Sequence, residues 1–170
     1  MKKILLIFLV TMVTYSCTTT DEDPTPLTGE SDVTSIDNDA AARARHGCNL
    51  AKVLSGNYRK SWQVVKYLIN DEDYTSLFMP CALDNIQNFY TDGRYIEVEG
   101  ATKCDASDPD IFDEGTYEFS DDYSLFILSA SHLQVSFTIV ELTESRFKIK
   151  YPDPDFGIVE IWLVAKKKHH

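Results

Sequence analysis

The chain has 170 residues, 27 acidic against 16 basic side chains and a formal charge of −11, which suits one domain plus a tail. That balance gives no electrostatic footprint for phosphate backbones and argues against nucleic acid as a partner. With 44% hydrophobic and 12% aromatic residues, the sequence is too apolar for wholesale disorder, and it folds.

Met1-Lys2-Lys3 is a short cationic start to a predominantly apolar run from Ile4 to Val13. A bilayer span needs about 20 apolar residues, so residues 1–16 read as a secretory signal peptide and not as an anchor helix. Ser16-Cys17 resembles the lipobox of bacterial lipoproteins, in which cleavage precedes the cysteine and its thiol is acylated. Thr14 departs from the usual Leu three residues ahead, and ordinary secretion is the alternative. Cys17 is thus the expected lipid attachment site, and several acyl chains together hold a protein stably at a membrane where one does not.

Residues 17–47 read as an acidic tether. Thr18 to Ala42 contains seven acids, two prolines and no base, a composition that solvates instead of packing. Asp21-Glu22-Asp23 resembles the acidic signal that sends some lipoproteins to the outer leaflet of the outer membrane; a merely solvated linker is the alternative. Ala40–His46 can form a helical turn or two, and Leu50, Val53 and Leu54 have helical spacing before Gly56, so one short helix is expected there.

Over 48–168 the period changes from helical to alternating. Eight strand-like runs follow, at about Ser61–Ile69, Asn85–Tyr90, Arg94–Glu99, Thr116–Ser120, Tyr123–Ser129, Leu133–Leu142, Arg146–Tyr151 and Ile158–Ala165. Most links are hairpin-sized, and the six prolines all fall between the runs, where a missing amide breaks no ladder. The pattern predicts an all-β, up-and-down eight-stranded barrel with a short N-terminal helix; a sandwich is the second choice.

If Cys17 carries lipid, Cys48, Cys81 and Cys104 remain. A two-residue turn at Asp92-Gly93 sets Cys81 directly opposite Cys104. A three-residue loop Thr91-Asp92-Gly93 with a glycine bulge instead sets Phe89 opposite Tyr95, and the cysteines miss register by one, a slip the chain around Pro80 and Gly100 can absorb. A Cys81–Cys104 disulfide is expected, worth about 2–4 kcal/mol in an oxidising compartment. Cys48 is then the odd thiol, by default a small buried hydrophobe.

Phe89-Tyr90-Thr91-Asp92-Gly93-Arg94-Tyr95, the loop Cys104-Asp105-Ala106-Ser107-Asp108-Pro109 and Gly115-Thr116-Tyr117 resemble the lipocalin-like domain of many Gram-negative lipoproteins, over about residues 50–166. The resemblance implies a lipocalin-type barrel, mostly without a known ligand. Lipocalins usually open with Gly-x-Trp, the Trp closing the barrel base against a cation. Here Gly56 and Trp62 are six apart; Lys166 is the nearest candidate partner, and the default is that Trp62 is core.

Enzyme signatures are missing from the sequence: no Gly-x-Ser-x-Gly, His-Glu-x-x-His or phosphate loop occurs. His46, His132, His169 and His170 are poorly placed for a shared metal. Asp105, Asp108, Asp110, Asp113 and Glu114 offer oxygen ligands, but their spacing fits no known calcium loop, and solvated acids at a turn are the default. No cofactor, metal or catalytic residue is expected. Tyr67, Tyr95, Tyr117, Phe137 and Trp162 alternate along the strands where they would line either a filled core or a ligand pocket, while Glu97 and Glu99 share Tyr95's side and make one face of that hairpin polar. The expectation is a non-catalytic, lipid-anchored cell-envelope barrel that binds a small apolar or amphipathic molecule. Its rival is a solid barrel that contacts another envelope protein or a glycan.

Overall fold

The computed structural model describes residues 47, 49–131 and 133–167. The expected signal peptide, Cys17, the tether with its helical turn at Ala40–His46, Cys48, His132 and the two terminal histidines lie outside those residues.

A short helix, α1 (49–55), precedes the strands, as its apolar spacing predicts. Leu54 and Ser55 are its fully buried side chains, and Gly56, at φ +67°, ends it by donating its N–H to the Lys52 carbonyl at 2.7 Å. That left-handed conformation costs glycine nothing because it has no Cβ.

The strands are β1 (Arg59–Ile69), β2 (Glu72–Asp73), β3 (Ile86–Tyr90), β4 (Arg94–Val98), β5 (Ile111–Phe119), β6 (Leu125–Ala130), β7 (Leu133–Leu142), β8 (Arg146–Asp153) and β9 (Gly157–Ala165). From β3 to β9 each pairs antiparallel with the next; β1 pairs with β3 on one side and β9 on the other, so eight strands close into an up-and-down barrel. The two-residue β2 extends the β3 side of β1 near its end. Among the described residues, closure gives each of the eight barrel strands two partners, while the short β2 has only β1.

β8 runs past its expected end through Pro152 to Asp153, with Pro152 paired to Ile158, so one proline lies inside a strand and not between strands; three strand starts also move by two residues or more. β5 begins at Ile111, because Asp113 and Glu114 pair with Glu97 and Ile96 of β4 despite their charge. β6 begins at Leu125: Tyr123 has φ +58° and belongs to the turn. There Asp122 accepts hydrogen bonds from the Ser120 hydroxyl and from the Ser124 amide and hydroxyl, which hold its carboxyl down at a pKa of about 2. The third is β1, which starts two residues early at Arg59 because Arg59 and Lys60 pair with Tyr90 and Phe89.

The β3–β4 connection takes the three-residue form: Phe89 pairs with Tyr95, and Gly93 sits at φ +84°. Cys81 and Cys104 are nevertheless joined, with Cα atoms 5.2 Å apart. Neither cysteine lies on a strand. Cys81 is on the one-turn helix α2 (Pro80–Leu83) and Cys104 in the loop before β5, and both segments bend to meet.

Alternation sends Trp62, Val64, Phe89, Tyr95, Tyr117, Phe126, Phe137, Phe147, Ile149 and Leu163 into the barrel, where with Leu54 of α1 they form one cluster. Phe89 is its hub, with ring centroids of Tyr95 and Tyr117 at 5.3 Å, Phe126 at 5.7 Å and Phe147 at 6.4 Å, most of them edge to face. Such pairs add about 0.5–1.5 kcal/mol beyond area burial. Trp62 is fully buried and donates its indole N–H to the Leu54 carbonyl at 2.8 Å, which ties α1 to the barrel base. The cation over its ring is Lys60, at 4.9 Å, and not Lys166, which donates to Gln63 Oε1.

Candidate functional site

The two ends of the barrel are built from different residues. At the closed end α1, the Thr91–Gly93 turn and the Trp62–Phe147 pair surround the aromatic cluster. At the open end lie β2, α2, the loop between β4 and β5, and the starts of β7 and β9.

A bulge in β1 decides what faces inward there. Its register against β9 shifts between Val64 and Lys66, so Trp62 and Val64 point inward before the bulge and Tyr67 after it. Lys66 is thereby turned outward, where its ammonium lies 4.9 Å from the Trp162 ring and 3.3 Å from Asp73. Without that extra residue the lysine would enter the barrel and the tyrosine would leave it.

In the open half of the interior, β3 and β4 present a polar wall opposite apolar residues of β6, β7 and β9. Glu97 follows Tyr95 on the inner face of β4 and accepts hydrogen bonds from the Tyr95 hydroxyl at 2.7 Å and from Asn85 Nδ2 at 3.3 Å. Burial, then the Glu97 charge, pushes the Tyr95 hydroxyl far above its ordinary pKa; the same causes in the same order raise Tyr67 to about 12. Tyr151, also among the charges felt by Tyr67, packs edge to face on Phe137 at 5.3 Å. Gln87 and Asp113 pair with Glu97 from the neighbouring strands and share its face.

A strap from Tyr74 to Asp84 runs along this mouth. Tyr67 donates its amide to Thr75 Oγ1 at 2.9 Å and accepts from the Tyr74 amide, and its ring stacks on Phe78 at 4.2 Å. Gln63 Nε2 donates to the Leu83 carbonyl, and Asp84 Oδ2 accepts from the Thr102 amide at 3.0 Å, beside the disulfide. The strap leaves an open groove of about 560 Å³ lined by Thr75, Phe78, Pro80 and Leu83 among others. A second depression of about 700 Å³ opens on the rim between Asp113, Ala130 and Leu133.

This end is also greasy outside. Among the described residues, Leu77, Phe78, Met79, Ile111, Phe112, Leu133, Phe156 and Ile158 are eight of the eleven large hydrophobic side chains left exposed, and all eight belong to the open rim. Exposed apolar residues gathered at one place mark a contact surface more often than scattered ones do.

The five aromatics expected to line the interior divide. Tyr67 and Tyr95 meet around Glu97 at the mouth, and Phe137 bridges from Tyr151 down to Phe126 at 6.0 Å. Tyr117 belongs to the packed cluster and donates its hydroxyl to the Tyr90 carbonyl at 2.7 Å. Trp162 requires a correction. It stands on the outer face, between Lys66 and Lys148, with its indole N–H donated to Glu160, because Val159, Ile161 and Leu163 take the inner positions of β9. Apolar residues occupy both parities of that strand, so alternation alone did not orient it. The residues missed were Asn85, Gln87 and Tyr151; continuing the inner parity outward from Phe89 and from Ile149 finds all three.

The acidic loop before β5 spends its carboxylates locally. Asp105 binds the Ser107 amide and hydroxyl, Asp108 the Asp105 amide, and Asp110 pairs with Lys103 at 2.7 Å, which lowers the Asp110 pKa. Asp113 accepts from the Ser131 hydroxyl at 2.6 Å. Among the described residues no group of three or more histidine, cysteine or acidic side chains converges as metal ligands would. No protein-family model matches this chain, and no curated protein matches it significantly.

Proposed function

We propose that this protein is a non-catalytic, lipid-anchored lipocalin-like binding barrel of the cell envelope, which takes a small apolar or amphipathic molecule at its open end. One observation carries the reading. The closed half is filled with interlocking aromatic rings, whereas the open half combines an apolar rim with an inner wall of Tyr67, Asn85, Gln87, Tyr95 and Glu97. Ligand sites in small barrels are apolar in their walls and carry a few placed polar groups, and the mouth is where they open. The signal-like N-terminus and Cys17 support the anchor, which would place the barrel at the outer membrane.

Native mass spectrometry of the protein released from its own host tests the binding reading: a small-molecule adduct is expected, and repeated masses of the bare chain would overturn it. Palmitate labelling should vanish on Cys17→Ala; labelling that survives the substitution removes the anchor. A second reading draws on the filled aromatic centre, which suits a solid module whose greasy rim meets another envelope protein. A bare mass together with stoichiometric cross-linking through Leu77 or Leu133 positions would favour it.

A further inference from the structure

We infer that the molecule taken at the open end carries a protonated amine, held by Asn85, Glu97 and Glu99; this rests on the binding-barrel reading. β3 and β4 pair Ile86 with Val98, Gln87 with Glu97 and Phe89 with Tyr95. One more inward step toward the mouth brings Asn85 opposite Glu99, on the face that Phe89 and Tyr95 share deeper in the barrel. The hydrogen bond from Asn85 Nδ2 to Glu97 Oε1 places the Asn85 side chain on that face.

Asn85 is only 9% exposed, and its Oδ1 has no hydrogen-bond partner. Glu99 Oε2 is likewise buried and unpartnered. A buried acceptor left unmade costs folding free energy, more when charged, and Asp84 Oδ1, on the residue before Asn85, is a third; native structures seldom gather several without a purpose. All three orphans are acceptors, and beside Asn85 lies Glu97, a carboxylate already oriented by Tyr95 and Asn85. What completes such a wall is a group with donors only and a positive charge.

An ammonium has three N–H donors and no lone pair, so it can serve Asn85 Oδ1, Glu99 Oε2 and Glu97 together. A hydroxyl would bring an acceptor oxygen toward the carboxylates, and a fatty-acid carboxylate would meet Glu97, Glu99 and, paired with Glu97 from β5, Asp113. The chain's own cation on the adjoining loop, Lys103, feels the Glu99 charge but makes its close contacts with Asp110 at 2.7 Å and the Asp108 carbonyl at 2.7 Å. The apolar part of the ligand then lies along Phe78 and Leu83 at the rim, where the groove is already open.

Three probes with the same tail separate the possibilities: dodecylammonium, dodecanol and dodecanoate, titrated below their micelle concentrations at pH 7 into the full chain carrying Cys17→Ala, by calorimetry. Dodecylammonium should bind about tenfold or more tighter than dodecanol, the worth of one charge-assisted hydrogen bond or better, and dodecanoate should bind most weakly. Glu99→Gln should remove most of that preference, bringing dodecylammonium and dodecanol within about threefold of each other; if its melting curve shows that it does not fold, Glu97→Gln serves the same purpose. Binding of all three within about threefold, or tightest binding of dodecanoate, overturns the amine and leaves the binding barrel standing. Binding of none overturns the barrel reading, and the amine with it.

Discussion

The two ends of this barrel show how one strand pattern serves two physical tasks. At the closed end most inward positions carry a ring or a branched aliphatic, the inward Lys60 donates to the Val53 carbonyl, and the one buried indole N–H finds the Leu54 carbonyl. At the open end the same strands carry Glu97, Gln87 and Tyr67 at inward positions, with apolar side chains turned out at the rim. The closed end obeys the rule that buried groups be apolar or satisfied. The open end violates it at Asp84, Asn85 and Glu99. Departures of that kind gather at functional sites, where stability is given up for a surface that something else completes.

The contrast is broken most severely at the closed end. Phe126 is 1% exposed and touches Phe89, Tyr117, Phe119, Phe137 and Phe147. Phe126→Ala should cost about 3–5 kcal/mol in urea denaturation; a loss below about 1.5 kcal/mol would mean that the centre is not packed as described.

The disulfide comes next, because it secures the strap at the other end. Replacing Cys81 and Cys104 together by serine should cost about 2–4 kcal/mol. Alkylation of the unfolded, unreduced protein should leave both residues unlabelled; label on either would refute the bond.

Alkaline titration probes the polar interior. Tyr67 is held at about 12 in the folded protein against 10 in a free chain, so its contribution is whole below pH 10 and lost as pH climbs toward 12. Stability should fall over that window by something on the order of 2 kcal/mol from this residue, and Tyr67→Phe should flatten the decline. An unchanged slope in the variant would show that the hydroxyl is not shielded.

The smallest effect sharpens the comparison furthest. Leu77→Ser and Met79→Ser, on the exposed rim, should shift stability by no more than about 0.5 kcal/mol, yet weaken binding of dodecylammonium and dodecanol alike. A large loss of stability with binding untouched would make the rim structural.

Much of the architecture was legible in the chain. The prolines other than Pro152, which lies inside β8, and the Asp92-Gly93 and Thr143–Ser145 links fall between the strands, Gly56 ends the helix, and the alternation through Phe89, Tyr95, Phe126, Phe137 and Phe147 names the core. The mouth was legible only in part. Glu97 and Glu99 stood out as a polar face because they continue from Tyr95 without interruption. Tyr67 was named, but nothing local announces the bulge that turns it inward, since Val64-Val65-Lys66 reads as an ordinary strand. Trp162 misled because β9 is apolar on both faces, and its outer face is covered by the stems and charges of Lys66 and Lys148 instead of by water.

Local chemistry therefore determined the eight barrel strands and the first helix of this protein, though not the short β2 and α2: the number, sense and antiparallel order of those eight strands follow from period and turn residues, which act over a few neighbouring residues. Tertiary structure decided which side chains share a wall. A bulge in β1, the one-residue slip at the Thr91–Gly93 turn and the bending of two loops around Cys81 and Cys104 are settled by pairing between segments distant in sequence. Because strand side chains alternate with a period of two, each such single-residue adjustment exchanges inside for outside, and that exchange placed Tyr67 within the barrel and kept Lys66 out.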